Sequence, residues 1–236
     1  MRYTRHELKQ DKFAASAAEA VHEVVEHRAG IIRIAAVVVA VGLLLGGLSW
    51  YRNHREEQAG NALGQALVTY NAPVVPPNTP QQGGMMTFNS DQERLTASKN
   101  QFHAISAKYG STRSGEYARY LAAVTEQQLG NHAVAEENLR ALSGSRHREL
   151  ASLAKYARAS LYQDAQRTQD AMKLLQELID KPTDSVPKVN AQLALADVYR
   201  SEHQPDKAKV ILDQIVKENP KNSLGQIAKS RQGGQP

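Results

Sequence analysis

Histidines and glutamates near the N-terminal end of the chain come close to a zinc-binding pattern. The segment from His22 to His27 reads His-Glu-Val-Val-Glu-His. A helical zinc site of the H-E-x-x-H type needs histidines four residues apart, so that both rings project from one face. Here the two histidines are five residues apart, which places them about 140° around a helix. The spacing therefore does not predict a metal site.

The other histidines are scattered along the chain, at positions His6, His54, His103, His132, His147 and His203. None lies beside acids or nucleophiles at a catalytic spacing, and the sequence contains no glycine-rich phosphate loop and no G-x-S-x-G motif. The sequence predicts a protein that is not an enzyme, with no catalytic residues, no metal or cofactor, and no small-molecule substrate. Because distant residues can converge in a fold, a hydrolase remains the less favoured alternative.

Composition narrows the class of protein further. The chain has no cysteine, which excludes disulfides, thiolate metal sites and a lipid-attached cysteine. The net charge is +5, but basic and acidic residues alternate along the sequence, so a nucleic-acid partner is not indicated. Aromatic residues make up only 6% and alanine is abundant, which favours an all-α fold with closely packed helices.

An uncharged apolar run from Ile34 to Tyr51 predicts a membrane-spanning helix, with bounds at 31–51. Eighteen helical residues rise about 27 Å, close to the hydrocarbon thickness of a bilayer. A buried core helix and a cleaved signal peptide are the alternatives. More than thirty residues precede the run and no A-x-A site follows it, so we expect an uncleaved signal anchor.

Charges beside the span bear on its orientation. Arg28 and Arg33 on one side balance Arg52 and Arg55 on the other. The segment 1–30, which includes a predicted amphipathic helix over Asp11 to Ala29, contributes further basic residues, namely Arg2, Arg5, Lys9 and Lys12. The positive-inside rule then favours a cytoplasmic N-terminus.

Beyond the span, small and apolar residues recur at a nearly constant interval. Alanines stand at Ala123, Ala159 and Ala196, and a second set follows at Ala135, Ala171 and Ala208, so that both sets are spaced by 36 and 37 residues. Each member of the second set begins an apolar stripe, as in Ala208, Ile211, Leu212, Ile215 and Val216. Helical spacing within each unit predicts three paired helices.

These repeats resemble the tetratricopeptide-repeat family, whose unit is an antiparallel helix pair of about 34 residues. The alanines match the family's closest packing positions, Tyr162 and Tyr199 its first-helix aromatic, Gly130 its turn glycine and Pro220 its terminating proline. Glu126 replaces the aromatic in the first clear unit, and the period is two or three residues longer than the family's.

The repeat-like domain is predicted to extend over 52–230 and to begin with a degenerate unit. One of its helix stripes ends at Tyr70 and the other at Tyr109. The proline- and glycine-rich residues 71–90 between them predict a flexible loop, or alternatively a polyproline docking segment. Ser223 to Ser230 predict a short capping helix, and 231–236 a disordered tail.

The resemblance implies a concave face, lined by the first helices, that binds protein partners. Its residues here would be Tyr117, Tyr120, Gln127, Tyr156, Gln163, Leu193, Asp197 and Arg200. Tyrosine and arginine suit recognition, although tyrosines also fill gaps between helices. The basic cluster with which tetratricopeptide chaperone adaptors grip a terminal carboxylate is absent from these positions, where Arg200 is the one basic residue.

A short N-terminal segment, one signal anchor and a degenerate repeat domain together resemble the ancillary SecYEG translocon subunit family. This resemblance implies a single-pass protein of the bacterial inner membrane with its C-terminal domain in the periplasm. The implied partners are Sec translocon components, periplasmic chaperones or nascent secreted proteins. The alternatives are a scaffold for another envelope machine, such as cytochrome or outer-membrane biogenesis, and an envelope hydrolase.

Overall fold

A computed structural model describes residues 28–75 and 86–233 of the chain. Within these ranges every regular element is an α-helix, which confirms the predicted all-α fold. The helices are α1 (Arg28–Tyr70), α2 (Asp91–Tyr109), α3 (Arg113–Gln128), α4 (His132–Leu142), α5 (Arg148–Asp164), α6 (Thr168–Asp180), α7 (Lys188–Ser201), α8 (Pro205–Glu218) and α9 (Ser223–Gln232). Nearly all of the predicted amphipathic helix over Asp11 to Ala29 lies outside the described residues.

Helix α1 contains a candidate membrane span. The apolar stretch within Ile32–Tyr70 reaches a mean hydropathy of 2.2 and is not buried in the structure. Large side chains such as Leu43 and Leu44 are more than 70% exposed, as expected for a helix whose apolar surface is covered by lipid. The chain divides into two compact units between His54 and Arg55.

The C-terminal part of α1 belongs to the second unit, where it forms the first hairpin with α2. Ala59, Leu63 and Ala66 pack in one core cluster with Phe102 and Ile105 of α2. Phe102 is completely buried, and the burial of a side chain of this kind contributes about 1.5–3 kcal/mol. Helix α3 completes the cluster through Ala118 and Ala122.

Three further hairpins follow, formed by α3 with α4, α5 with α6, and α7 with α8. The periodic alanines pack within and between these hairpins, all at 2% exposure or less: Ala123, Ala135, Ala159, Ala171, Ala196 and Ala208. Small side chains allow the helix backbones to approach, and larger residues of each stripe fill the remaining space. The predicted three to four stacked hairpins are thereby confirmed.

The turn inside each of these three hairpins has the same backbone form. Gly130, Gln166 and His203 all have positive φ angles, of 82°, 57° and 55°. The residue after each donates its N–H to a carbonyl five residues back, at 2.7–2.8 Å. This is a Schellman helix end, which glycine adopts without strain and other residues adopt at a cost.

Helix α9 covers the end of the last hairpin. Ala228 is fully buried with Leu193, Leu212 and Ile215, so the apolar end of the stack is closed as predicted for a capping helix. The helix continues through Arg231 to Gln232, which corrects the prediction that a disordered tail begins at residue 231. The physical reason is that Arg231 finds a partner on α7, Asp197.

The ends of the connection between α1 and α2 are joined to each other. The N–H of Val75 donates to the carbonyl of Phe88 at 2.9 Å, and the N–H of Phe88 donates to the carbonyl of Pro73 at 3.1 Å. Residues 76–85 lie outside the described part of the chain. The flexibility and the docking role that the sequence suggests for this loop remain predictions.

Candidate protein-interaction surface

Tyrosines from three successive hairpins lie next to one another. On α3, the rings of Tyr117 and Tyr120 stand 5.7 Å apart, tilted by 36°. Tyr70 at the end of α1 and Tyr156 on α5 are near enough to interact electrostatically with Tyr120. We call Tyr70, Tyr117, Tyr120 and Tyr156 the tyrosine row.

Tyr120, in the middle of this row, is half-buried and packs against the core cluster of Ala123 and Leu139. Burial, together with the neighbouring phenols Tyr117, Tyr70 and Tyr156, raises the pKa of Tyr120 to about 12. Tyr117 is 37% exposed, whereas Tyr70, Tyr120 and Tyr156 are half-buried and pack against the core. The open part of the row is therefore Tyr117, with partly exposed ring edges beside it. Such amphipathic rings provide large contact areas at low entropic cost.

Tyr156 connects the row to a cavity of about 340 Å³ between α5 and α7. The cavity is lined by Tyr156, Ala159, Ser160, Gln163, Leu175, Asn190, Leu193, Ala194, Asp197 and Arg231. Four of the eight residues that the sequence placed on the concave face, Tyr156, Gln163, Leu193 and Asp197, therefore line one cavity. We call the tyrosine row and this α5–α7 cavity together the interaction surface.

An ion pair closes one side of the cavity. Arg231 of α9 pairs with Asp197 of α7 and also donates to the carbonyl of Leu193 at 3.4 Å. Burial raises the pKa of Tyr156, with Arg231 acting to lower it and Asp197 to raise it further. The cap helix thus contributes directly to the surface.

Three of the eight predicted residues, Leu193, Gln127 and Arg200, have surroundings that differ from this pattern. Leu193 is 7% exposed and belongs to the core beneath α8 and α9, so only its edge reaches the cavity. The amide of Gln127 donates to a carboxylate oxygen of Asp164 at 3.0 Å and links the ends of α3 and α5. Arg200 is exposed and is not among the residues that line the cavity.

Sequence reasoning did not include Tyr70, Ser160, Asn190 or Arg231. For two of them the repeat interval offered a signal. Ser160 lies 37 residues before Asp197, and Asn190 lies 73 residues, or two intervals, after Tyr117, so each corresponds to a residue predicted on the concave face. Tyr70 and Arg231 lie outside the three clear repeats. Their positions follow from the packing of the first hairpin and of the cap helix.

Two histidine–glutamate pairs connect neighbouring hairpins. Nε2 of His103 lies 3.0 Å from Glu126, and Nδ1 of His147 lies 2.8 Å from Glu116. Beside them, Ser106 donates to the backbone of His103 and Ser145 donates to Glu116. Neither pair shows the serine-to-histidine hydrogen bond of a nucleophilic triad. The contacts that these pairs do make join helices.

A second cavity, of about 640 Å³, lies between α6, α7 and α8. Val210 and Ile211 form part of its apolar lining, and Val210 is 68% exposed. Lys207 extends over the ring of Tyr199 at 5.4 Å on the same side. None of the eight predicted residues lines this cavity.

Comparison with known families agrees with the stacked hairpins. A tetratricopeptide repeat model matches residues 162–231, and a tetratricopeptide repeat-like domain model matches residues 27–183. Searches of curated proteins and of solved structures found no match. The second family model covers more than half of the chain and includes α1, the tyrosine row and the first three hairpins. The chain therefore belongs to the tetratricopeptide repeat-like domain family.

Proposed function

We propose that this protein is a membrane-anchored scaffold whose repeat domain binds other proteins through the interaction surface. Tetratricopeptide repeats generally mediate contacts between proteins, and stacked hairpins offer extended surfaces suited to that role. The observation that carries the proposal is the tyrosine row together with the cavity: Tyr117 is exposed, its three neighbours are half-buried against the core, and Tyr156 also lines the cavity. No chemical reaction is needed to account for it.

The anchor of this scaffold is the apolar part of α1, proposed to span the membrane over 31–51. Residues 1–30 would then lie in the cytoplasm and the repeat domain, 52–230, in the periplasm of a bacterium. The support is the hydropathy of α1 and the excess of basic residues before it.

Because the chain has no cysteine, single-cysteine variants report topology cleanly. A membrane-impermeant maleimide should label Ala133→Cys and not Ser16→Cys in intact spheroplasts; the reverse pattern would invert the orientation.

The proposed partners are Sec translocon components, periplasmic chaperones or nascent secreted proteins. The support is the arrangement of one N-terminal anchor followed by a degenerate repeat domain, which resembles the ancillary SecYEG translocon subunits. A domain held beside the membrane in this way would meet polypeptides as they emerge from the channel.

Crosslinking in living cells tests the partners. A photoreactive amino acid at Tyr117, the most exposed residue of the tyrosine row, should give adducts with translocon subunits or secreted chains. The same amino acid at Ala133, an exposed residue of α4, is the matched control. If Tyr117 captures components of cytochrome or outer-membrane assembly and no translocon component, the translocon assignment is wrong.

A further inference from the structure

We infer that the interaction surface binds an extended, uncharged polypeptide segment that carries proline or aromatic side chains. This inference rests on the proposed function and specifies the chemistry of the partner at the same surface. It follows from three observations: the row of rings, the hydrogen-bonding groups beside them, and the pairing of the charges at the cavity and at Arg94.

The rings are arranged for side chains that stack. Tyr117 and Tyr120 have centroids 5.7 Å apart, and Tyr70 and Tyr156 continue the row on either side. Proline-rich segments bind to aromatic-lined grooves because the polyproline conformation is already extended and loses little entropy on binding. Aromatic side chains use the same rings through offset or edge contacts.

Neutral hydrogen-bonding groups lie next to the rings. The hydroxyl of Tyr70 is 3.2 Å from the amide nitrogen of Gln128, and Ser160, Gln163 and Asn190 line the cavity. An extended segment exposes its backbone N–H and C=O groups, which need such partners when they leave water. Hydroxyl and amide groups can satisfy these backbone groups without attracting a charged side chain.

The charged residues that line the cavity, and Arg94 beside Tyr70, are paired within the protein. Asp197 and Arg231 pair with each other, and these two are the charged residues that line the cavity. At the other end of the row, Arg94 lies over the ring of Tyr70 at 5.7 Å and pairs with Asp91 at 2.6 Å. A charged ligand side chain would therefore lose its water without gaining a counter-ion, which is unfavourable.

The burial of Tyr120 and Tyr156 strengthens this point. Burial raises the pKa of both phenols, so the neutral form is favoured where the row meets the cavity. The burial that disfavours a phenolate here also disfavours a carboxylate from a ligand. The chemistry is opposite to that of a carboxylate clamp, which needs unpaired cations.

Peptide binding to the full-length chain in detergent micelles tests the inference. The probe is a fluorescently labelled twelve-residue peptide of alternating proline, tyrosine, alanine and glutamine, and binding is measured by fluorescence anisotropy. Two matched peptides replace two central glutamines by glutamates or by lysines. We expect the neutral peptide to bind and each charged peptide to bind about ten-fold more weakly or less.

Variants locate the site. Tyr117→Ala should weaken binding of the neutral peptide about ten-fold, and it removes a partly exposed side chain without opening the core. Val210→Ala, at the second cavity, is the control that should leave binding unchanged. A loss of affinity in Val210→Ala with none in Tyr117→Ala would place the ligand at the second cavity and overturn the inference.

Removing one partner of the Asp197–Arg231 ion pair should change which peptide the surface prefers. Arg231→Gln keeps a donor for the carbonyl of Leu193 but leaves Asp197 unpaired, so the lysine peptide should gain affinity relative to the neutral one. Asp197→Asn frees Arg231 and should favour the glutamate peptide instead. Circular dichroism melting of both variants shows whether α9 remains docked.

The outcomes separate the two proposals. Equal or tighter binding of a charged peptide by the unmodified chain overturns the inference and leaves the scaffold function standing. If no peptide binds, and the photoreactive residue at Tyr117 captures no polypeptide in cells, the scaffold function at this surface fails as well.

Discussion

Nε2 of His103 lies 3.0 Å from Oε1 of Glu126, so a side chain of α2 meets one of α3 where the first hairpin joins the second. Glu126 stands 36 residues before Tyr162, at the position where the family has an aromatic. In the next unit, the hydroxyl of Tyr162 donates to Glu136 of α4 at 3.1 Å. At both junctions, the residue at this repeat position makes a polar contact with the preceding helix. In the first the position itself supplies the carboxylate, as Glu126, and in the second the preceding helix supplies it, as Glu136.

The stability contributed by Glu126 should depend on pH. Burial acts to raise the pKa of its carboxyl, but hydrogen bonds from His103 and Asn131 and the charge of Lys99 outweigh burial and hold the pKa below the ordinary value of 4.5. A carboxyl whose pKa is lower in the folded state stabilises fully above its unfolded pKa. That contribution disappears as the pH falls through the folded pKa.

We therefore expect Glu126→Gln to lower the free energy of unfolding by about 1–2 kcal/mol at pH 7, with a smaller difference below pH 4. Urea unfolding followed by circular dichroism at both pH values measures it. Glu137→Gln, at an exposed position of α4, should have little effect at either pH. A difference for Glu126→Gln that stays constant with pH would contradict the ion-pair interpretation.

The turn residues offer a reciprocal test of backbone strain. Gln166 has a φ of 57°, whereas Gly130 occupies the equivalent turn with a φ of 82°. Gln166→Gly should raise the free energy of unfolding by about 0.5–1 kcal/mol because glycine adopts this conformation without strain. Gly130→Ala should lower it by about 1 kcal/mol. Thermal unfolding of the two variants checks both signs, and changes of the same sign would be inconsistent with a strained turn.

The buried repeat alanines should not accept larger side chains. Ala135 is completely buried in one core cluster with Ala159 and Tyr162 of α5, and a leucine there would overpack this cluster at a cost of about 1–3 kcal/mol. Ala133→Leu, two residues earlier at an exposed position of the same helix, is the matched control and should change stability by less than about 0.5 kcal/mol. Equal effects of the two substitutions in chemical denaturation would show that Ala135 does not pack between helices.

The end of α1 should be indispensable to the repeat domain. A chain that begins at Arg55 keeps Ala59, Leu63 and Ala66 and should be soluble, helical and cooperative in thermal unfolding. A chain that begins at Asn71 loses these residues and exposes Phe102, which is otherwise fully buried. It should melt at a lower temperature and bind a hydrophobic dye. Indistinguishable melting of the two chains would mean that the first hairpin does not need α1.

Much of the candidate surface could be predicted because the repeat interval transfers positions from one hairpin to the next. Tyr156 and Asp197, which the repeat pattern placed on successive first helices, both line the cavity. Leu193 differs because α9 packs over it, which buries a side chain that an uncovered hairpin would expose. A non-repeated element, the cap, thus changes the surroundings of a repeated position, which the repeat interval does not indicate.

The sequence by itself determined the helices, their pairing into hairpins and the apolar run in α1, because these features depend on residues a few positions apart on one helix or in one repeat. Only the tertiary structure decided which side chains meet across hairpins. Arg231 pairs with Asp197 34 residues away, and Tyr70 joins tyrosines of α3 and α5. Such contacts depend on how successive hairpins stack, and helical periodicity carries no information about the distance between two side chains on different helices.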